Sequence, residues 1–452
     1  MSKISIDDQL YSASVGIYST NSLFSRFKSE ADLRIEENDA LPGALPTHVH
    51  EFVHYLHNIS TTSGIKLIFD THAAVFMASQ FLIQNEQNIS VSSQDSNQNN
   101  DVKYFIDRLN YIYGEFNEEP CASSLNSSGW IFSDLQTYSP KIESDFSSYQ
   151  VKITGNFPEK TINGVLRIGL TFITEGVAYD VERDIYKEKG VRPYEIDANT
   201  PYFPYLAYEH FVNHISERST TSLERIKIGN AALMHESPSQ GFVEACLELK
   251  KGIAFLDAYY KKSMNYFKSY IDNKFDHMSN HIKSFYSRTD KLLKPFEYYL
   301  LIIRSTSQKR INTPLLETLF IGKNLTPEEF LRISSNIAEH CIIQEKNNTS
   351  ATLDIVGTSN SLAASSDDEI AWFYVLCSTI HFIQQHFTSD GAIVKTSDLR
   401  EKKCPFSGTC DAERSEGYPE TCVKFPWKFK TKNQEGVCWY SAGIKSITPM
   451  QI

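Results

Sequence analysis

The sequence lacks long apolar runs. No window of its 452 residues reaches about eighteen uninterrupted apolar positions, which excludes a helix that spans a bilayer. Residues 1–10 alternate polar and apolar side chains without an apolar core, so we expect neither a secretory signal nor a membrane anchor there. These absences predict a cytoplasmic protein without a membrane partner.

Positive charge is also scarce. The chain carries 44 Lys and Arg against 55 Asp and Glu, a formal net charge of −11, and it has no long basic stretch. Contacts to phosphate backbones need a clustered basic surface, so we predict no nucleic-acid partner. A Gly-rich phosphate loop, a Gly-x-Ser-x-Gly motif and a kinase signature are missing as well, which excludes the chemistries that depend on them.

Cysteine is sparse for the length of the chain. Eight Cys in 452 residues are too few for a disulfide scaffold. Four are scattered through ordinary segments, where we expect them to be reduced and buried: Cys121, Cys246, Cys341 and Cys377.

The other four cysteines crowd into the tail: Cys404, Cys410, Cys422 and Cys438. Metal ligation would replace a missing core in this loop-rich segment, but the two close Cys-x-x-Cys pairs of a zinc ribbon are absent. The tail cysteines are therefore candidates for a second, structural zinc site. Unrelated reduced thiols and a redox or disulfide role are the alternatives.

The residues that are abundant indicate a folded, mainly α protein. Hydrophobic residues make up 41% and charged residues 22%, with 28 Phe and 24 Tyr, which is a globular composition. Apolar residues that repeat every three and four positions predict helices over 65–83, 102–116, 162–186, 242–271, 327–343 and 368–387. Residues 118–163 predict a small irregular or β region with a hairpin, and the polar stretches 84–100 and 347–366 predict surface loops.

The length of the chain exceeds one core of typical size. We expect one large helical body or two lobes that share a cleft. We assign residues 1–345 to the body that holds the functional site, and residues 346–452 to a C-terminal helix followed by the Cys-containing tail.

The segment from Thr47 to His57 carries the strongest motif. It reads Thr-His-Val-His-Glu-Phe-Val-His-Tyr-Leu-His and follows a proline, so we expect a helix over 47–60 capped by Thr47. Its i, i+3, i+4 and i+7 positions form a core-facing stripe of Val49, Phe52, Val53 and Leu56. His50 and His54 then share a neighbouring face, where two imidazoles can bind one ion at about 2.0–2.1 Å with Glu51 beside them.

Glu51 is expected to stay unliganded, because a carboxylate bound to zinc could not also accept a proton from the zinc-bound water. Zinc lowers the pKa of that water towards about 7, and Glu51 would be the general base. The alternative is a pair of surface histidines on an ordinary helix.

Two more histidines lie on the same predicted helix. His57 lies about 10.5 Å along the helix from His50, too far to join the same ion, so we expect it near the ligands or in the cleft wall. His48 is expected to be solvated.

A third ligand must come from another segment, and Glu175 is the best candidate. It lies in the predicted helix 162–186, away from the main apolar stripe but beside apolar residues such as Phe172, so its face is also expected to be buried. A buried carboxylate needs a partner; zinc would be one, and an ion pair with Arg183 or another base is the alternative. Gly176 would let another helix approach closely here.

The motif His-Glu-Phe-Val-His at 50–54 resembles the active-site helix of the zincin metallopeptidases. The resemblance covers this helix only, and the metzincin extension is absent, since neither the Gly nor the His of that extension follows His54. Glu175, followed by Gly and a small residue, is similar to the downstream glutamate of the gluzincin branch, in which His, His and Glu complete the site. Gluzincins often carry Asp four residues after that Glu; here the position is Tyr179, and Asp180 comes one residue later.

The resemblance implies a zincin-like helical metallopeptidase with one catalytic Zn²⁺ and a His or Tyr that donates to the developing oxyanion. Tyr179, His210 and His214 are the candidates for that donor. These features predict a zinc-dependent peptidase with a protein or peptide substrate and with narrow specificity or an activating partner. The alternatives are a metal-binding interaction protein without catalysis and a zinc hydrolase of non-peptide amides.

Overall fold

A computed structural model gives the fold of most of the chain. It describes residues 15–21, 23–33, 43–80, 82–83, 88–89, 96–117, 130–138, 148–157, 160–198, 200–287, 290–347, 350–357, 366–388, 393–409, 424–428 and 438–447. Cys121 and two of the tail cysteines, Cys410 and Cys422, lie outside these ranges. Among the helices described, none has both the length and the apolar character that crossing a membrane requires.

Helices make up most of the described structure, which confirms the mainly α prediction. They are α1 Ala44–Ile59, α2 Thr62–Ser79, α3 Ser96–Tyr113, α4 Leu170–Glu188, α5 Pro193–Asp197, α6 Ala207–Ser216, α7 Ser222–Leu233, α8 Pro238–Lys251, α9 Ile253–Asn273, α10 Phe275–Tyr286, α11 Asp290–Asn312, α12 Pro327–Ile337, α13 Asp367–Gln384 and α14 Trp439–Ile447. A short irregular helical segment, Tyr202–Leu206, precedes α6, and a 3-10 turn, Leu316–Phe320, follows α11.

The strands form two four-stranded sheets and one small ribbon. They are β1 Gly16–Ser19, β2 Phe24–Phe27, β3 Leu82–Ile83, β4 Asn88–Ile89, β5 Glu115–Asn117, β6 Trp130–Tyr138, β7 Ser148–Phe157, β8 Lys160–Arg167, β9 His340–Asn347 and β10 Ser350–Val356. The first sheet has the order β1-β2-β9-β10, with β2 and β9 parallel, and the second is antiparallel with the order β5-β8-β7-β6. The hairpin predicted within 118–163 is present as β6 and β7. The boundary proposed after residue 345 falls inside β9, so the two assigned segments share one sheet.

Two predicted helices are partly strands. The segment 162–186 begins as β8, and α4 starts only at Leu170. The helix predicted over 327–343 ends at Ile337, after which the chain forms β9. Short apolar runs fit both the helical and the strand period. Pairing of β8 with β7 and of β9 with β2 favours the strand in both cases.

Other predicted boundaries also move. The helix predicted over 242–271 is broken at Gly252, whose φ of +135° is one that glycine adopts readily. The stretch 84–100 contains β4 and the first residues of α3, and the stretch 347–366 contains β10. Both loop predictions are therefore wrong in part.

The helix that carries the motif starts about one turn earlier than predicted. It begins at Ala44 with Gly43, rather than Thr47, as its cap, and the Thr47 hydroxyl donates to the Gly43 carbonyl oxygen (2.9 Å). Pro46 lies in the first turn, where the N–H that proline lacks has no helical acceptor. The motif residues therefore lie well inside α1 rather than at its frayed end.

Helix α4 packs against α1, and a glycine lets a second neighbour approach it. A Cβ at Gly176 would lie 2.0 Å from Cγ of Tyr208 on α6, which confirms that this position permits a close approach. Helix α4 therefore contacts both α1 and α6, and its face towards α1 brings Glu175 to His50 and His54.

Candidate metal centre

The predicted apolar stripe of α1 faces the core, where Val49, Phe52, Val53 and Leu56 are all buried. This orientation puts His50 and His54 on the neighbouring face, with ring centroids 4.7 Å apart and ring planes at 72°. Their side chains are 9% and 13% exposed. They are therefore enclosed in the protein and not the pair of surface histidines that was the alternative.

Glu175 of α4 meets both imidazoles. Its Oε2 lies 3.2 Å from Nε2 of His50 and 3.2 Å from Nε2 of His54. Ligands bound to a tetrahedral ion at about 2.0–2.1 Å are roughly 3.3 Å apart, close to the separation found here. Among the described His, Cys, Asp and Glu residues, these form the one group whose donor atoms converge, all within 4.8 Å of one another. Arg183, the alternative partner of Glu175, pairs with two other carboxylates instead.

The charges of the candidate ligands and of their neighbours shift one another's pKa values. Burial lowers the pKa of His50, but hydrogen bonds to Glu175 and Glu182 outweigh burial and raise this pKa well above its usual value. Burial raises the pKa of Glu175, but the charge of His54 and hydrogen bonds to both imidazoles bring this pKa well below its usual value. The site thus stabilises positive charge beside an ionised carboxylate, and a divalent cation would supply that charge in place of protons.

Glu51 lies beside this cluster and is not one of its ligands. It is buried, and its Oε2 accepts a hydrogen bond of 2.7 Å from the backbone N–H of Tyr18 on β1. Burial raises the pKa of Glu51, although the charges of His50 and His54 oppose this rise. An unliganded carboxylate with a raised pKa is suited to accept a proton and return it.

Glu182 contacts His50 and was not predicted as a site residue. Its Oε2 lies 2.8 Å from Nδ1 of His50, while Nε2 of the same ring faces Glu175. Such a carboxylate keeps the proton on Nδ1 and leaves Nε2 for a metal ion. A signal was present in the sequence, because Glu182 follows Glu175 by two helical turns and so projects from the same face of α4.

Tyr205 is a second site residue that sequence reasoning missed. Its ring lies edge-on to that of His50, with centroids 6.0 Å apart. The charge of Glu175, followed by burial, raises the pKa of Tyr205 well above its usual value, so the hydroxyl remains a donor. No periodic pattern marks the irregular segment Tyr202–Leu206, so no local signal pointed to this residue.

The candidates proposed for the oxyanion donor are engaged elsewhere. The Tyr179 hydroxyl donates to Asp197 (2.7 Å). His210 is exposed, and its Nδ1 lies 3.0 Å from the Tyr202 hydroxyl. His214 packs against aromatic rings of β6 and α6. None of these three side chains contacts His50, whereas the ring of Tyr205, outside the regular helices, does.

Two other histidines of α1 lie in the interior. His48, predicted to be solvated, is buried, with Nε2 2.8 Å from the Ala31 carbonyl oxygen and its ring stacked on Phe27 at 3.6 Å. The prediction is wrong because the segment after β2 covers this face of α1. His57 is likewise not in a cleft wall, since the turn after α11 covers it and its Nε2 lies 3.2 Å from Glu317.

Only two of the four tail cysteines belong to the described residues. Cys404 and Cys438 are both buried, and both raise the pKa of the Tyr440 hydroxyl, to which burial contributes most. Cys410 and Cys422 fall outside the described ranges, so the tail zinc site stays a prediction. The scattered cysteines that the structure describes are buried, as predicted: Cys246, Cys341 and Cys377.

Comparisons of the chain with protein-family models, with curated proteins and with solved structures gave no match. The chemistry of the site therefore has to follow from its own geometry. Two imidazoles and one carboxylate, with Oε2 of Glu175 3.2 Å from each Nε2 and all donor atoms within 4.8 Å of one another, are a donor set that fits Zn²⁺.

Proposed function

We propose that this chain is a zinc-dependent peptidase in which His50, His54 and Glu175 hold one Zn²⁺ and Glu51 is the general base. The observation that supports this best is the convergence of three donor groups beside an unliganded carboxylate. Three protein ligands are typical of catalytic zinc sites, which keep an open position, whereas structural sites are closed by four. The enzyme would be zincin-like and, in its third ligand, gluzincin-like.

Each neighbouring residue has a role in this proposal. A bound Zn²⁺ would supply a water of lowered pKa and would polarise the scissile carbonyl. Glu51 accepts a proton on its carboxylate and delivers it to the leaving amine nitrogen. Tyr205 donates its hydroxyl hydrogen to the carbonyl oxygen as negative charge develops there. Glu182 keeps His50 protonated at Nδ1.

Restricted access to the site supports a narrow substrate range. The side chains of the three ligands are between 9% and 13% exposed, and Glu51 is buried. Catalytic groups this enclosed are reached by an extended peptide or a flexible segment more easily than by a folded surface. We propose a protein or peptide substrate, with narrow specificity or with a partner that opens the site.

The test is hydrolysis by the purified, zinc-loaded protein of a peptide library, of small non-peptide amides and of unfolded casein. We expect cleavage of a narrow set of peptides, its loss in Glu51→Gln, and no loss in the matched variant Glu188→Gln, whose side chain is exposed at the end of α4. Cleavage of amides alone would indicate an amide hydrolase. Zinc binding without any hydrolysis would indicate a non-catalytic metal-binding protein, and free digestion of casein would contradict narrow specificity.

A further inference from the structure

The hairpin formed by β1 and β2 lies on the face of α1 that carries Glu51. Tyr18 of β1 donates its backbone N–H to Oε2 of Glu51 (2.7 Å) and its hydroxyl to Oδ1 of Asn58 (2.8 Å). Asn58 follows Glu51 by two helical turns, so both side chains project from the same face of α1. One strand residue therefore contacts the carboxylate and a second side chain of the same helix.

Asn58 uses both polar atoms of its amide group to hold the hairpin. Its Oδ1 accepts hydrogen bonds from the Tyr18 hydroxyl and from the backbone N–H of Asn21 (2.9 Å). Its Nδ2 donates to Oδ1 of Asn21 (3.1 Å) and to the Gly64 carbonyl (3.4 Å). Asn21 in turn donates to the Thr71 hydroxyl (2.8 Å). Asn58 and Asn21 are 2% and 1% exposed, so water does not compete for these bonds.

Asn21 also shapes the turn between the two strands. Its φ of +65° lies in the left-handed region, which asparagine tolerates better than most residues. A buried amide is costly unless its hydrogen bonds are made, and both ends of the Asn21 amide are bonded here. The turn is therefore held in one arrangement against α1.

The register of the hairpin explains why the Tyr18 N–H reaches Glu51. β1 is the outer strand of its sheet. The bond from the Lys28 N–H to the Val15 carbonyl (2.8 Å) shows that these two residues form a hydrogen-bonded pair. Such pairs alternate with non-hydrogen-bonded ones along an antiparallel ladder, so Tyr18, opposite Ser25, directs its N–H out of the sheet.

We propose that Asn58 and Tyr18 are positioning residues for the general base: the docked hairpin holds Oε2 of Glu51 and leaves Oε1 as the oxygen that exchanges the proton. This inference rests on the proposed peptidase function. Without the hairpin contact the carboxylate would rotate, and displacing a catalytic group by about 1 Å can lower a rate on the order of 10²-fold. The loss falls on the chemical step, because the bonds of the hairpin involve none of the three metal ligands.

The experiment compares Tyr18→Phe and Asn58→Ala with the matched control Tyr286→Phe. The control also removes a buried tyrosine hydroxyl, one that bonds to Nδ1 of His72 (2.8 Å) on α2. We expect kcat to fall about 10- to 100-fold in the first two variants, with KM and zinc affinity unchanged, and no change in the control. Hydrogen exchange of the Tyr18 amide should accelerate in the first two variants only.

An unchanged kcat in a variant whose Tyr18 amide exchanges faster would overturn the inference, because the hairpin would have loosened without effect on the base. An equal loss in Tyr286→Phe, or a parallel loss of zinc affinity, would overturn it as well, since general destabilisation would then explain the result. If Asn58→Ala does not fold, Tyr18→Phe still tests the inference, because it removes a single oxygen atom. A wild-type protein that hydrolyses no peptide would refute the peptidase proposal itself and this inference with it.

Discussion

His50 and Glu182 share a hydrogen bond of 2.8 Å between Nδ1 and a carboxylate oxygen, while Nε2 of the same ring lies 3.2 Å from Glu175. Both carboxylates come from α4, two helical turns apart, so one helix contacts both nitrogens of one imidazole. The ring is thereby fixed in its orientation, and a metal ion at Nε2 would leave its one proton on Nδ1, facing Glu182. A metal ion that binds at Nε2 would find this ligand already in place.

Removal of this contact should weaken metal binding. We expect Glu182→Ala to lower zinc affinity about 10- to 100-fold, because His50 loses the group that orients it and increases its basicity. Competition with a chelator measures the change. Glu188→Ala, on the same helix but exposed, should bind zinc like the wild type, and equal affinities in the two variants would contradict the role of Glu182.

Tyr205 should affect turnover rather than binding. Tyr205→Phe keeps the ring beside His50 and removes the hydroxyl, so we expect kcat to fall about 10²- to 10³-fold, as for loss of one oxyanion donor. KM and zinc content should stay close to wild type. Steady-state kinetics on a cleaved peptide gives both constants, and the exposed Tyr194 offers a matched Tyr194→Phe control. A kcat within twofold of wild type would assign the oxyanion contact to another group.

The parts of this site that could be predicted are those that depend on one helix alone. The helical period of α1 and its apolar stripe place Glu51 beside two histidines, independently of the contacts that α1 makes with other segments. Glu175 needed the further argument that a second face of its helix is buried. Glu182 and Tyr205 acquire their roles only where separate segments meet. The contact from Tyr18 is made by a backbone N–H, which every residue except proline has, so the sequence does not mark it.

The fold shows the same division between local and distant determinants. Long periodic segments were predicted as helices, and most of them are. The segments 162–167 and 340–347 contain only a few apolar residues each, and their strand character depends on partners elsewhere, including the pairing of β9 with β2. No local pattern contains that information.

A buried ionic network at the end of α1 should contribute strongly to stability. Arg310 contacts Glu317 (2.7 Å) and also bonds to Ser60 and Asn230, and the side chains of the ion pair have no exposure. Glu317→Gln would leave the guanidinium buried without its counter-charge, so we expect a loss of about 3–5 kcal/mol in the free energy of unfolding. Urea denaturation measures this loss.

The matched control is Glu329→Gln, which breaks a partly exposed pair with Lys323 (2.7 Å). Such pairs contribute about 0–1 kcal/mol. Similar losses in Glu317→Gln and Glu329→Gln would show that the buried network has no special contribution.

The contribution of Glu317 should depend on pH. Burial raises its pKa, but the charge of Arg310 and the nearby His57 imidazole hold this pKa well below the usual 4.5. Because the unfolded chain binds the proton more readily, the stabilisation is complete above about pH 4.5 and is lost as the pH falls below that value. The difference in unfolding free energy between wild type and Glu317→Gln should therefore shrink in acid. If the difference in unfolding free energy stays constant from pH 7 down to the lowest pH at which the protein is folded, this assignment is contradicted.

The zinc content of Glu175→Gln and Glu51→Gln tests the central claim most directly. The two variants make the same substitution at enclosed glutamates of the same site, and only one of them is assigned as a ligand. We expect Glu175→Gln to contain one zinc equivalent less than wild type, and Glu51→Gln to keep the full content while losing hydrolysis. Equal zinc content in wild type and Glu175→Gln, or loss of zinc in Glu51→Gln, would contradict the account.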